Sequence, residues 1–277
     1  MTLARLDDVL VQARAAGRGV GAFNVVQLEH AHGLIAAAEE TGLPVVLQIS
    51  ENAARYHGSL LGIGTATRVL AEASPATCVV HLDHATDTEL VRQAVDLGFT
   101  SVMFDGSTLP DEQNRDVTAE VVARCHEAGV SVEAELGEVG GKDGVHAPGV
   151  RTDPDDAAAF VDDTGVDALA VAVGSSHAMT ERSARLDHTL ISRLRDAVPV
   201  PLVLHGSSGV PDAEIVRGLR AGLTKVNIAT HLNAVFTGDV RRVLGADERL
   251  VDTRKYLGPA RDALRDETAR LLRLLAS

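Results

Sequence analysis

The chain is 277 residues long and carries 26 Lys and Arg against 39 Asp and Glu, a formal net charge of −13. That balance excludes nucleic acid as a partner, because binding a polyanion needs a cationic face that displaces counterions. At 45 % hydrophobic and 23 % charged the composition is that of a folded protein, and no apolar run is long enough to span a bilayer, so no membrane role is expected.

In chain order, the first 18 residues place Asp7 and Asp8 in an amphipathic pattern without a basic-then-apolar signal layout, which predicts a cytoplasmic protein. Eight short runs rich in Val, Ile, Leu and Ala follow, at 19–25, 44–50, 77–83, 101–105, 131–136, 168–173, 201–205 and 225–229. Their near-continuous apolar character suits strands buried on both faces, as parallel sheets require. Helical periodicity fills the gaps at 28–41, 86–97, 111–128, 153–164, 188–198 and 212–221. Glycines at 42, 98, 129 and 165 close four of these helices. Eight strand–helix units predict an α/β fold, a (β/α)8 TIM barrel forming a single domain over 1–277; a doubly wound open sheet is the runner-up. The tail, 256–277, reads as an amphipathic helix that caps the barrel or joins subunits. The glycine clusters at 17–21 and 62–64 read as turns, since neither follows a strand and opens a helix as a dinucleotide loop would. Cys78 and Cys125, in neither a pair nor a metal-ligand spacing, read as core residues.

In such a barrel the strand C-termini form the reactive mouth. Six consecutive predicted strands end in polar side chains: His81-Leu82-Asp83-His84, Asp105-Gly106-Ser107, Glu133-Ala134-Glu135, Gly174-Ser175-Ser176-His177, His205-Gly206-Ser207-Ser208-Gly209 and Asn227-Ile228-Ala229-Thr230. One strand end taken alone is often polar because it meets water, and one histidine is often a core or loop residue. Three histidines at separate strand ends, His84, His177 and His205, with carboxylates beside them, supply the ligands Zn2+ prefers and leave a position for substrate. His81 is expected to be an outer partner rather than a ligand. The glycine and serine turn at 206–209 and the segment 227–230 stand where barrels often hold phosphate.

These motifs, together with Gly21-Ala22-Phe23-Asn24, Val102-Met103-Phe104-Asp105-Gly106-Ser107, Gly140-Gly141, Lys225-Val226-Asn227 and Asp252-Thr253-Arg254-Lys255-Tyr256, resemble the class II metal-dependent ketose-bisphosphate aldolases nearly end to end. The resemblance implies that His84, His177 and His205 hold a catalytic zinc, that Asp105 and Glu135 serve an alternative or second metal position, and that Asp83 is the acid/base. It implies that Asn24, Ser50, Ala178, Gly206, Ser207, Ser208, Asn227, Ile228, Ala229 and Thr230 line the sugar-phosphate site, that Arg254 meets the far phosphate, and that a monovalent cation assists. It implies a homodimer or homotetramer cleaving fructose 1,6-bisphosphate, with tagatose 1,6-bisphosphate or another ketose phosphate as an alternative substrate. A non-catalytic sugar-phosphate-binding barrel is the alternative of a different class. Asp143 stands where the family commonly places a glutamate that exchanges the C3 proton, Ala178 where it has glycine, His231 where an acid is common, and Thr253 where proline is frequent. A Schiff-base aldolase needs a lysine in the mouth. Lys142 falls in a glycine loop, Lys225 at the start of its strand and Lys255 in the tail, so the metal route is expected.

Overall fold

The computed structural model describes residues 3–136, 151–175 and 182–277. Strands β1 (Val20–Asn24), β2 (Val45–Ser50), β3 (Cys78–Ala85), β4 (Ser101–Phe104), β5 (Ser131–Glu135), β6 (Ala168–Ala170), β7 (Leu202–Leu204) and β8 (Leu223–Ile228) pair in parallel and close into a barrel in chain order. The closure decides between the two topologies expected from sequence: the β1–β8 pairing, with Val20 beside Lys225, excludes an open sheet.

Helices α1 (Leu6–Ala15), α2 (Leu28–Thr41), α3 (Glu51–Tyr56), α4 (Leu60–Ala73), α5 (Thr88–Asp96), α6 (Asp111–Glu127), α7 (Pro154–Thr164), α8 (His188–Ala197), α9 (Asp212–Ala221), α10 (Thr230–Ala246) and α11 (Arg254–Leu275) accompany the strands. The stop glycines behave as expected: Gly42, Gly98, Gly129 and Gly165 all have φ between 67° and 80°. Three helices, α3, α4 and α10, have no counterpart in the sequence reading. The 62–64 glycines lie inside α4 rather than in a turn, where Gly64 lets Phe99 pack so closely that a Cβ would sit 3.1 Å from its ring. The long α10 follows β8 directly. The tail helix α11 packs against α2 and α10, so its apolar face is spent within this chain.

Two apolar layers result. Phe23, Leu47, Ile49, Val80, Leu82, Leu169, Leu204 and Val226 point outward and pack under the helices. Val20, Ala22, Val46, Val79, Ala168, Ala170 and Val203 point inward and meet Leu6, Val9 and Leu10 of α1, which plugs the barrel floor. Strand side chains alternate. On three strands the inward positions therefore run from apolar at the floor to polar at the mouth, Val20-Ala22-Asn24, Val46-Gln48-Ser50 and Val79-His81-Asp83, while Ser131-Glu133-Glu135 of β5 is polar throughout. Cys78 and Cys125 are buried, and burial pushes both thiols up to about 11, consistent with inert core residues. No helix among the described residues is long and apolar enough to cross a membrane.

Candidate active site

The mouth holds an open cavity of about 390 Å³ lined by Asn24, Gln48, Ser50, Glu51, Asn52, Arg55, Asp83, His84, Thr86, Asp105, Gly206, Ser207, Ser208, Asn227, Ala229 and Thr230. Asp83 and His84 are adjacent, and a regular strand would send them to opposite faces. Both reach the cavity because β3 breaks register with β4 between Leu82 and Ala85, and His84 takes φ 50°, the one positive φ outside glycine among the described residues. Left-handed backbone at such a residue is strained and persists only where its surroundings enforce it.

His84 Nδ1 is paired with Asp105 Oδ2 at 2.7 Å, which holds the ring in place. Behind it, fully buried His205 lies edge-on with ring centroids 4.7 Å apart. One donor atom each from His84, Glu135 and His205 fall within 4.8 Å of one another. His205 Nε2 faces Glu133 Oε1 at 2.9 Å and Nδ1 faces Glu135 Oε2 at 3.4 Å, so the ring is fixed between two carboxylates. Burial opposes charge on His205, but the two carboxylates outweigh it and raise its pKa to about 9. Two imidazoles and a carboxylate under that negative potential fit a divalent cation in donor type and in charge.

Lys225 donates from Nζ to Glu133 Oε2 at 2.7 Å, with neither side chain exposed. It is the third residue of β8 and points into the barrel, which revises the expectation that it stood at the far end of its strand. Burial would raise the Glu133 carboxyl, but Lys225 and His205 hold it well below the usual carboxylate range. Lys225 is thus engaged beneath the cavity and does not line it. His81 is also internal: it meets Ser101 Oγ at 2.8 Å, and burial drives its pKa down to about 3.

Amide side chains flank Asp83. Gln48 Nε2 lies 3.5 Å from its Oδ2 and 2.7 Å from Asn24 Oδ1, while Asn227 Nδ2 lies 3.4 Å from Asp83 Oδ1 and 3.2 Å from His205 Nε2. The amide oxygens of Gln48 and Asn227 are buried without a hydrogen-bond partner among the described residues. Gln48 was missed in the sequence, where it is the one polar residue inside an apolar strand.

Across the cavity, Gly206 adopts φ 64° and opens a 3-10 turn, Ser207–Gly209. Ser207 Oγ donates to the Asn227 carbonyl, and Ser208 Oγ accepts from the His231 amide at 3.2 Å. Thr230 is the first residue of α10, so the N-terminus of a 17-residue helix opens beside this turn. Glycine-rich backbone and a helix N-terminus together form a ready anion cradle.

Not every sequence candidate meets here. The Ile228 side chain is buried in the outer core, away from the cavity. Arg254 begins α11 with its side chain 89 % exposed and forked onto Asp252 at 3.0 and 2.9 Å, outside the cavity walls. Asp143, His177 and Ala178 lie outside the described residues.

Comparison with known proteins gives a concordant picture. A family model described as "Fructose-bisphosphate aldolase class-II" matches residues 4–277. A Geobacillus stearothermophilus fructose-bisphosphate aldolase is 40 % identical over 269 residues, spanning 96 % of this chain and 94 % of that protein. A Staphylococcus aureus fructose-bisphosphate aldolase is 39 % identical over 270 residues, with 96 % and 94 % covered. Among solved structures, the YdjI aldolase of Escherichia coli K12 superposes with a TM-score of 0.86 at 31 % identity, covering 99 % of this chain and 97 % of that one. A match along nearly the whole chain, on a barrel whose mouth gathers a His/Glu/His donor group, places this protein in the class II fructose-bisphosphate aldolase family, as a carbon–carbon lyase.

Proposed function

We propose that this chain is a zinc-dependent aldolase that reversibly cleaves fructose 1,6-bisphosphate into dihydroxyacetone phosphate and glyceraldehyde 3-phosphate. The observation that carries the reading is one cavity lined by the Asp83 carboxylate, by His84 of the His84, Glu135 and His205 donor group, and by the β7/β8 anion cradle.

His84 and His205, with Glu135 beside them, would hold the cation, and His177 is the further ligand that the resemblance implies. A divalent ion bound there supplies Lewis acidity to the ketose carbonyl oxygen. Asp105 keeps the His84 ring turned by its 2.7 Å hydrogen bond. The cradle of Gly206, Ser207, Ser208, Ala229 and Thr230 receives the phosphate on C1, and Asn24, Ser50 and Asn227 meet the hydroxyls. Asp83 takes the proton of the C4 hydroxyl as the C3–C4 bond breaks, so that C4 leaves as an aldehyde and the bond pair remains on C3. Protonation of C3, assigned to Asp143, then completes dihydroxyacetone phosphate. A homodimer or homotetramer in the cytoplasm belongs to the same reading; Tyr56 and Leu61, on neighbouring α3 and α4, are 77 % and 62 % exposed and offer apolar surface for such contact.

The test is a coupled cleavage assay with zinc and with EDTA, beside Asp83→Ala. Turnover should require metal, and Asp83→Ala should lower kcat by at least about 10²-fold with zinc content unchanged. Absence of turnover of any ketose phosphate by the zinc-loaded protein would overturn the reading.

A further inference from the structure

The turn at 207–209 is held from outside the cavity. Arg182, Asp212, His231, Glu267 and Arg270 do the holding, and none of them lines the cavity walls. On one side of the turn, Ser208 Oγ accepts from the His231 amide at 3.2 Å, which fastens the turn to the start of α10. The His231 imidazole reaches the other way, its Nε2 paired with Glu267 Oε1 of α11 at 2.6 Å. Glu267 also accepts from Arg270, one helical turn further along α11, at 2.7 and 2.9 Å. Arg270 donates from its other Nη to Asp212, the first residue of α9, at 2.6 Å. The second oxygen of Asp212 accepts from Arg182 at 2.5 Å, and Arg182 donates to the Val210 carbonyl at 2.6 and 3.1 Å. Val210 closes the turn itself, its N–H donating to the Ser207 carbonyl at 2.8 Å. The contacts thus form a circuit that leaves the turn at Ser208 and returns to it at Val210.

Burial would raise the Glu267 and Asp212 carboxyls, but the neighbouring arginines hold both below their usual range, Glu267 with help from His231. All four acidic and arginine members are partly exposed. Ion pairs of this kind are solvated and screened, and one by one they add little to fold stability. Their geometry has a different use. Backbone N–H groups stabilise an oxyanion well when they already point to one place, and a loose glycine-rich turn would have to be ordered at the cost of affinity.

We propose that Glu267 and Arg270 of the C-terminal helix are positioning residues: they complete a circuit of contacts that holds the 207–210 turn in the conformation that receives the substrate's phosphate. This rests on the sugar-phosphate reading above. Helix α11 then acts in substrate binding without touching substrate.

The test measures Kd for inorganic phosphate by calorimetric titration, and KM and kcat for fructose 1,6-bisphosphate, in the zinc-loaded wild type, Glu267→Gln, Arg270→Met and Arg270→Lys, with Tm alongside. Opening the circuit in Glu267→Gln or Arg270→Met should raise Kd and KM together by about two- to thirtyfold, with less change in kcat and little in Tm. Arg270→Lys, which keeps the charge but not the fork, should fall between wild type and Arg270→Met. Both substitutions open the same circuit, so the double variant Glu267→Gln with Arg270→Met should lose no more than the weaker-binding single variant. A lowered Tm with Kd and KM unmoved would show that these residues only dock α11, and losses that add in the double variant would show separate contacts. Either result overturns the inference while the aldolase reading stands. Wild type that binds phosphate but cleaves no ketose phosphate overturns the aldolase reading alone, since the phosphate titration still reads the circuit; wild type that does neither overturns both.

Discussion

Lys225 and Glu133 form an ion pair with no exposed surface, 2.7 Å apart on opposite sides of the barrel interior, and Glu133 passes the constraint to His205. Buried charges are costly to desolvate, and removing one partner strands the other. Lys225→Met is therefore expected to destabilise the fold by about 3–5 kcal/mol. Removing the orienting carboxylate in Glu133→Gln should weaken zinc binding by about 10- to 100-fold. The double variant Glu133→Gln with Lys225→Met should recover stability without recovering metal affinity, because it removes the stranded charge but not the need to orient His205. Urea unfolding and competitive zinc titration read the two effects separately; unchanged zinc affinity in Glu133→Gln would show that the pair only fills space. Neither role was legible in the chain, since Lys225 stands two residues before Asn227 and nothing in that spacing announces a partner across the barrel on β5. The candidates that were legible, Asp83, His84, Asp105, Glu135 and His205, share a position at the end of an apolar run, where burial should have excluded them.

At the scale of elements, α2 shows how a helix end is tied to the barrel. His30 accepts at Nδ1 from the Val26 amide at 3.2 Å and meets Phe236 of α10 edge-on at 4.9 Å. Burial lowers its pKa from 6.5 to about 4. The folded state therefore binds fewer protons than the unfolded chain between those values, and stability falls as pH drops below about 6.5 by about 1.4 kcal/mol per pH unit from this group. His30→Gln should flatten the stability profile between pH 6.5 and 4 by about that slope, as measured by urea unfolding across the range; a parallel profile would refute the assignment. The strands and six helices were readable because apolar runs alternated with periodic segments ending in glycine. The helices that escaped have local reasons. In α4 the glycines imitate a turn, although Gly64 serves close packing with Phe99. In α10 only Leu232 and Phe236 are buried, so the amphipathic stripe is thin. The register break at His84 was equally invisible, since no glycine marks it.

For the whole molecule, metal and fold should be linked. A cation that binds the native donor group and not the unfolded chain stabilises by mass action, about 2.7 kcal/mol at a hundredfold excess over Kd. EDTA should lower Tm and zinc restore it, with the shift growing with zinc concentration. An identical Tm in both conditions would show that the His84, Glu135 and His205 group does not gather a cation. The sequence by itself determined the number and order of strands and the polar character of their ends, because two-sided burial of a parallel strand demands apolar residues and tolerates polar ones only where the strand opens to a site. Tertiary structure alone decided which polar ends converge, that Arg55 lines the cavity while Arg254 does not, and that Lys225 lies beneath it. Those outcomes depend on closure of β1 onto β8 and on the break in β3, which set distances between residues far apart in the chain that no local pattern encodes.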